Sequence, residues 1–418
     1  MKGNPLHRVL PQIIFMAALT WPFPVWGFYS HAGSRYDINL TGSSAAGAGL
    51  AKYPDAPFLY DEGSEASWYG DLRLLAEASI GERFGVRLNV LENVRSTPVF
   101  VPTQTGGAKP DVERSGLLYS RQHDSANTQA AMVLDSGYLK YIDWKNELAI
   151  GRQPVSTTVT FYFTPNDFFA PFSPNTFYRV YKPGVDALRY ERRIAALSQL
   201  SVIGVLGYEE QSDADSGWSK SPDWHRSSLL TRFTHTAGEF EWGLLSGIVR
   251  ESMVTGFSLQ GEFFQWLGVR TEGHYANTWA DDRDSGLMVT ISFEHRFPSS
   301  LNLRLEQMYN GYGEDSIAEA LAEKRQGATG PEYLGRHYSA FDISYQLSPL
   351  LVGQMLFLRN WSDHSYSVSC NAVYSTSDES ELAVTAAFPG GAEPGEDTIR
   401  SELGSLPVQF ALEYRHYF

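Results

Sequence analysis

The chain has 418 residues, a formal net charge of −15 and a 43% hydrophobic share. The acidic balance excludes nucleic acid as a general partner, because phosphate binding needs a basic footprint. Cys370 has no second cysteine to pair with, so no intrachain disulfide can form, and no Cys/His cluster has zinc-ligand spacing; no metal or cofactor is expected.

Lys2, His7 and Arg8 open the chain with positive charge. The apolar stretch VLPQIIFMAALTW (Val9–Trp21) follows, too short to span a bilayer as a helix, and PVWG (Pro24–Gly27) offers a small residue at a cleavage point. Residues 1–27 are therefore expected to be an export signal, with an N-terminal anchor or a disordered tail as alternatives. No later apolar run reaches the length of a membrane helix.

From there the pattern alternates with period 2. In DLRLLAEASI (Asp71–Ile80), Leu72, Leu74, Ala76 and Ala78 face one way, and Asp71, Arg73 and Glu77 the other. GVRLNV (Gly85–Val90) sets Val86, Leu88 and Val90 against Arg87 and Asn89. The same holds for Leu287, Val289, Ile291 and Phe293 against Thr290, Ser292 and Glu294, and for Leu301, Leu303 and Leu305 against Asn302, Arg304 and Glu306. Strict alternation marks strands with one apolar and one polar face. An aromatic share of 14% and 37 glycines suit a β protein with many turns.

A β-sandwich would alternate too, so strand and connection lengths decide. The strands are long, mostly about ten to twelve residues, where about 9–11 suffice to cross a bilayer at a tilt. Short turns, such as those near Gly81–Arg83, Asp143–Asn146 and Ala237–Gly238, alternate with connections that are mostly long. That is the pattern of outer-membrane barrels, with tight periplasmic turns and extended outer loops. The expected fold is all-β: a single transmembrane antiparallel β-barrel over residues 28–418, with about 18 strands and 16 as the alternative. Long outer loops are expected at 43–69, 94–134, 311–335 and 388–405. EDSIAEALAEKRQG (Glu314–Gly327) has acid at its start, base at its end and a final Gly, the marks of a short surface helix.

The polar faces then line the interior. They carry Arg73, Glu77, Arg87, Lys140, Arg189 and Glu191 in the first half, and Arg232, Glu241, Arg270 and Glu272 in the middle. Glu294, Arg296, Arg304, Glu306 and Asp342 follow. A barrel this wide cannot be filled by side chains alone, so a hydrated lumen with both signs of charge is expected. The alternative is that the charges only pair across strands and make a wettable wall.

Residues 154–183 stand apart. They hold Phe161, Tyr162, Phe163, Phe168, Phe169, Phe172, Phe177, Tyr178 and Tyr181, too much aromatic surface for a loop in water. TPND (Thr164–Asp167) and SPNT (Ser173–Thr176) are turn formers. The loop is expected to fold into the barrel and narrow it, with Arg152, Asp167, Arg179, Asp186 and Arg189 at the constriction. An aromatic patch at the membrane rim or against a second protomer is the alternative.

The chain ends FALEYRHYF, with Phe410, Leu412 and Tyr414 on one face and Phe418 last. An exported barrel closed in this way resembles Gram-negative outer-membrane porins. In that family the terminal Phe and the alternating apolar residues before it look like the signal read by the outer-membrane assembly machinery. Phe410, Leu412, Tyr414 and Phe418 match; His416 departs, since the family favours an apolar or aromatic residue there. AIGRQPV (Ala149–Val155), TPNDFF and PGVDALRYE (Pro183–Glu191) also look like porins whose inward loop follows a strand ending in Gly-Arg-Gln. The resemblance implies residence in the outer-membrane bilayer with its lipopolysaccharide and passive diffusion of small hydrophilic solutes, often as a homotrimer. The sequence leaves open a substrate-specific transporter or exporter of a polysaccharide or organic acid, and a surface receptor. The ten His are scattered and no Gly-x-Ser-x-Gly elbow is present, so no enzyme is expected.

Overall fold

The computed structural model describes residues 29–60, 63–96, 113–125, 127–211, 216–279, 284–317, 319–320 and 333–418. The expected export signal lies outside them. Their strands begin with β1 (Tyr29–Ala32), β2 (Tyr36–Lys52), β3 (Ser64–Ile80), β4 (Phe84–Ser96) and β5 (Tyr119–Asp124). Next come β6 (Thr128–Ile142), β7 (Asn146–Gln153), β8 (Val185–Ala195), β9 (Ser198–Glu210) and β10 (Trp218–Ala237). Then follow β11 (Phe240–Val249), β12 (Ser252–Phe263), β13 (Leu267–Thr278), β14 (Gly286–Arg296) and β15 (Asn302–Asn310). The last five are β16 (His337–Ser348), β17 (Leu351–Asn360), β18 (Tyr366–Ser377), β19 (Ser380–Gly390) and β20 (Val408–Tyr417).

All of them belong to one antiparallel sheet, and it closes on itself. The last strand pairs with β2 from Ser43↔Tyr417 to Lys52↔Val408. Closure leaves no sheet edge, which is the condition for strands to cross hydrocarbon. Leaving aside β1 and β5, 18 strands form the wall. The two others extend neighbouring strands. At the periplasmic end β1 pairs with β2 through Tyr29↔Leu40 to Ala32↔Asp37, directly below the last strand on the same side of β2. At the outer end β5 pairs with β6 through Tyr119↔Val133, above the point where the shorter β7 stops at Gly137↔Arg152.

The alternating faces have opposite surroundings. Leu74, Leu305 and Leu412 point outward and are about half exposed, while Arg73, Glu306 and Glu413 on the same strands point inward and are buried. An outward Lys or Arg at mid-membrane would cost about 2–4 kcal/mol, which accounts for the clean outer face. Cys370 lies on this outward face.

The turns are short at one end. At the opposite end one connection is equally tight: Arg250 and Glu251 alone link β11 to β12, both with left-handed backbone, φ 44° and 67°, as a two-residue hairpin turn requires. Gly81 (φ 60°) and Gly238 (φ 61°) serve the periplasmic turns, where a side chain would be strained.

The first outer loop needs correction. Residues 43–69 were expected to be a loop, but β2 runs to Lys52 and β3 starts at Ser64, leaving only 53–63. The stretch TGSSAAGAGLAK is strand despite its weak β propensity, because its backbone is paired on both sides. Expected loops 94–134 and 388–405 shrink similarly: β4 reaches Ser96, β5 and β6 occupy much of 119–134, and β19 continues to Gly390. β15 ends at Asn310 and β16 begins at His337, on either side of the expected loop 311–335. Within the expected helix at 314–327, residues 317, 319 and 320 are helical, and most of the rest lies outside the described residues.

Candidate functional site: a loop clasped inside the barrel

The connection between β7 and β8 turns inward. Its two turns form where Pro and Asx residues stand: Asp167 N donates to Thr164 O at 3.0 Å, and Thr176 N donates to Ser173 O at 3.0 Å. Its aromatics bury against the wall in two clusters. Phe168 and Phe169 pack with Val185, Ile203, Leu230, Leu245 and Val254, from β8 to β12. Tyr162 and Phe163 pack with Met288, Met308, Tyr338, Leu356 and Leu358, from β14 to β17. Phe163 and Phe168 are each 1% exposed. Burying a side chain of this size favours docking by about 1.5–3 kcal/mol, before ordering costs.

Two wall carboxylates hold the backbone between those clusters. On β15, Glu306 accepts from three consecutive amides: Phe161 N at 2.6 Å, Tyr162 N at 2.8 Å and Phe163 N at 3.0 Å. On β13, Glu272 accepts from Thr158 Oγ1 at 2.8 Å, Thr160 N at 3.3 Å, Asn166 N at 3.1 Å and also Val159 N. Charged acceptors make stronger hydrogen bonds than neutral ones, and these replace water at both groups. The wall also grips the loop as a donor, with Arg270 Nη1 giving to Val159 O at 3.0 Å.

This burial corrects part of the expected lining. Glu272 and Glu306 are 0% exposed, Arg152 2% and Asp167 3%, so none of these four lines a watery passage, and Arg73, 7% exposed, reaches only a recess between the loop and the closing strands. Arg152 gives Nε to Asp186 Oδ1 at 2.8 Å and Nη2 to Asp186 Oδ2 at 3.1 Å, and also holds Ser115 O and Leu134 O. Asp167 is taken up by Lys182 of the same loop. Arg73 donates to Asp135 Oδ2 at 2.7 Å and Asn89 at 2.8 Å. Arg179 staples its own loop by donating to the carbonyls of Phe161, Ser173, Pro174 and Thr176. The loop covers Glu272, Glu306 and, through Tyr181, Arg73, whereas Arg152 is enclosed by Ser115, Leu134 and Asp186.

Other expected residues keep solvent access. Arg87 pairs with Glu77 near the periplasmic end, both side chains over 40% exposed. Arg189 reaches Glu147 at 3.2 Å and Glu191 at 3.9 Å, all partly exposed. Arg304 binds Glu294 at 2.8 Å with Asp342 at 3.7 Å, and Arg270 lies 4.0 Å from Glu294. Arg232 is half-buried; it donates to Ser258 Oγ at 3.4 Å, and its Nε has no acceptor among the described residues.

Sequence reasoning missed Asp135, the shared partner of Arg73 and Arg114, and Lys182. It also missed two stacks at a recess between the loop and the closing strands: Arg415 lies 3.9 Å over Tyr178 and Arg73 lies 4.2 Å over Tyr181. The signal was present as inward Arg on strands facing a Tyr-rich loop.

A closed barrel of 18 wall strands with one aromatic connection folded into its interior is the fold of Gram-negative outer-membrane porins. Solved structures of that class are similar to this chain. OccK9 (OpdG) of Pseudomonas aeruginosa has a TM-score of 0.58 at 12% identity, with 91% of this chain and 98% of that chain covered. A BenF-like porin from Pseudomonas fluorescens Pf-5 has 0.58 at 9%, with the same coverage. Pseudomonas aeruginosa OpdK, solved with vanillate, has 0.54 at 10%, covering 91% and 98%. No protein-family profile matches the sequence, and no curated protein matches it.

Proposed function

We propose that the protein is an outer-membrane porin: a water-filled channel for passive diffusion of small hydrophilic solutes or ions, narrowed by the loop at 154–184. The observation that carries this reading is the clasp, in which Glu272 and Glu306 hold the loop backbone inside the barrel. Charged groups with solvent access, Arg189, Glu191, Arg270 and Arg304, remain on the inner wall beside it. Such groups are hydrated and shape which solutes pass. The proposal includes export through residues 1–27 and assembly in the outer membrane through the terminal pattern Phe410, Leu412, Tyr414 and Phe418; a homotrimer is its oligomeric form.

A planar-bilayer recording of the refolded protein is the test. Discrete conductance steps are expected, larger after the loop is replaced by a short Gly/Ser linker. A folded, inserted protein without conductance overturns the porin reading. Passage of organic acids is a second reading, favoured by the Arg–Tyr stacks around the recess and by the vanillate in the OpdK structure. Competition between vanillate and chloride for the current tests it.

A further inference from the structure

The Phe161 ring lies against two guanidinium groups at once. The central carbon of Arg270 is 4.4 Å from the ring centre, and that of Arg304 is 4.3 Å from it. The arginines stand on β13 and β15, on either side of β14, so the ring occupies the space between two like charges. Its position is fixed by its own amide, which donates to Glu306 at 2.6 Å, and by its carbonyl, which accepts from Arg179. Unlike Tyr162, Phe163, Phe168 and Phe169, Phe161 is only half-buried. Both arginines keep solvent access, with side chains 35% and 25% exposed, while their shared acid Glu294 is 23% exposed and Asp342 is fully buried.

Resting on the porin reading, we propose that Phe161 sets the charge selectivity of the channel by masking the faces of Arg270 and Arg304 from passing anions. An aromatic face satisfies a guanidinium without a counter-ion. It also keeps water and small anions from the side that it covers. Without the ring, two closely spaced cations face the lumen, and chloride or a carboxylate can bridge them through charge-assisted hydrogen bonds.

Reversal potentials in a KCl gradient test this. Phe161→Ala is expected to raise the chloride-to-potassium permeability ratio roughly two- to fivefold, the scale of one lost cation–π contact. Arginine modification by phenylglyoxal, followed by mass spectrometry, should be faster at Arg270 and Arg304 in the variant. Phe161→Leu fills most of the space and should give a smaller shift in the same direction; it serves as the reading if the alanine variant yields no folded barrel. A conducting wild type whose variant keeps the same reversal potential and modification rates overturns the proposal and leaves the porin reading standing. A wild type with no conductance removes the porin reading itself.

Discussion

Gly42 and Phe418 exchange both backbone hydrogen bonds: Gly42 N donates to Phe418 O at 2.7 Å, and Phe418 N donates to Gly42 O at 2.9 Å. The Phe418 ring lies where a side chain on residue 42 would stand, 2.5 Å from an ideal Cβ. The closing seam thus continues one pair beyond the ladder and is capped by a ring over a glycine. Two substitutions probe this pair. Gly42→Val must push the ring away and is expected to lower the yield of closed, heat-modifiable barrel on a gel. Phe418→Ala keeps the backbone pair but loses the ring, and should lower the inserted yield in cells more than refolding yield in detergent. Equal loss in both would assign the ring to stability alone.

Glu306 leaves three amides without their acceptor if it is removed. Leaving a buried donor unsatisfied costs about 1–3 kcal/mol, so Glu306→Ala should loosen the loop, not unfold the barrel. Larger and noisier single-channel currents are expected, with unchanged heat-modifiable mobility. Glu272→Ala should act the same way, and the double variant should exceed either. Currents identical to wild type would mean that the aromatic clusters hold the loop unaided.

Arg152, only 2% exposed, pairs with Asp186 on the neighbouring strand. Breaking one side of a buried pair costs about 3–5 kcal/mol. Arg152→Met should lower the urea midpoint of unfolding in detergent, whereas Arg152→Met with Asp186→Leu should recover part of the loss. A single variant as stable as wild type would show that water reaches Asp186 readily.

The mouth of the barrel has its own titrating group. Glu402, in the loop between β19 and β20, accepts from Asn360 Nδ2 at 2.8 Å, from Leu334 N at 3.4 Å and from the Tyr338 hydroxyl. Burial, with the Asp363 carboxylate nearby, pushes its pKa up to about 7. A carboxyl raised in the folded state stabilises docking fully below its unfolded value, near 4.5, and that contribution is lost as pH rises through about 7. Protease cleavage of this loop should therefore be slower at pH 5 than at pH 8. Glu402→Gln should flatten the difference; a variant with the wild-type pH profile would place the titration elsewhere.

Much of the wall was legible in the sequence. Leu301, Leu303 and Leu305 against Asn302, Arg304 and Glu306 give β15 its two faces directly, because the two sides of a barrel wall are different solvents. β2 was harder, since Gly, Ser and Ala contrast little between faces, and its pairing comes from strands at both ends of the chain. The loop's inward course could be read from its aromatics, and the inward direction of Glu272 and Glu306 from alternation. Their role could not. It depends on contacts across more than 100 residues of sequence, which local pattern does not carry. The same holds for Leu230, Met308 and Leu356, inward apolar residues that make sense only once the loop lies over them.

The clasp grips main chain. Six of the groups that Glu272 and Glu306 accept from are peptide N–H groups of the loop, which any residue but proline supplies. The half-buried side chain at 161 can therefore be exchanged while the loop stays fastened. Where the loop sits is set by main chain held to the wall, and what it presents to the lumen is set separately by the side chain at 161. A single substitution there changes the inner surface without redesigning the barrel.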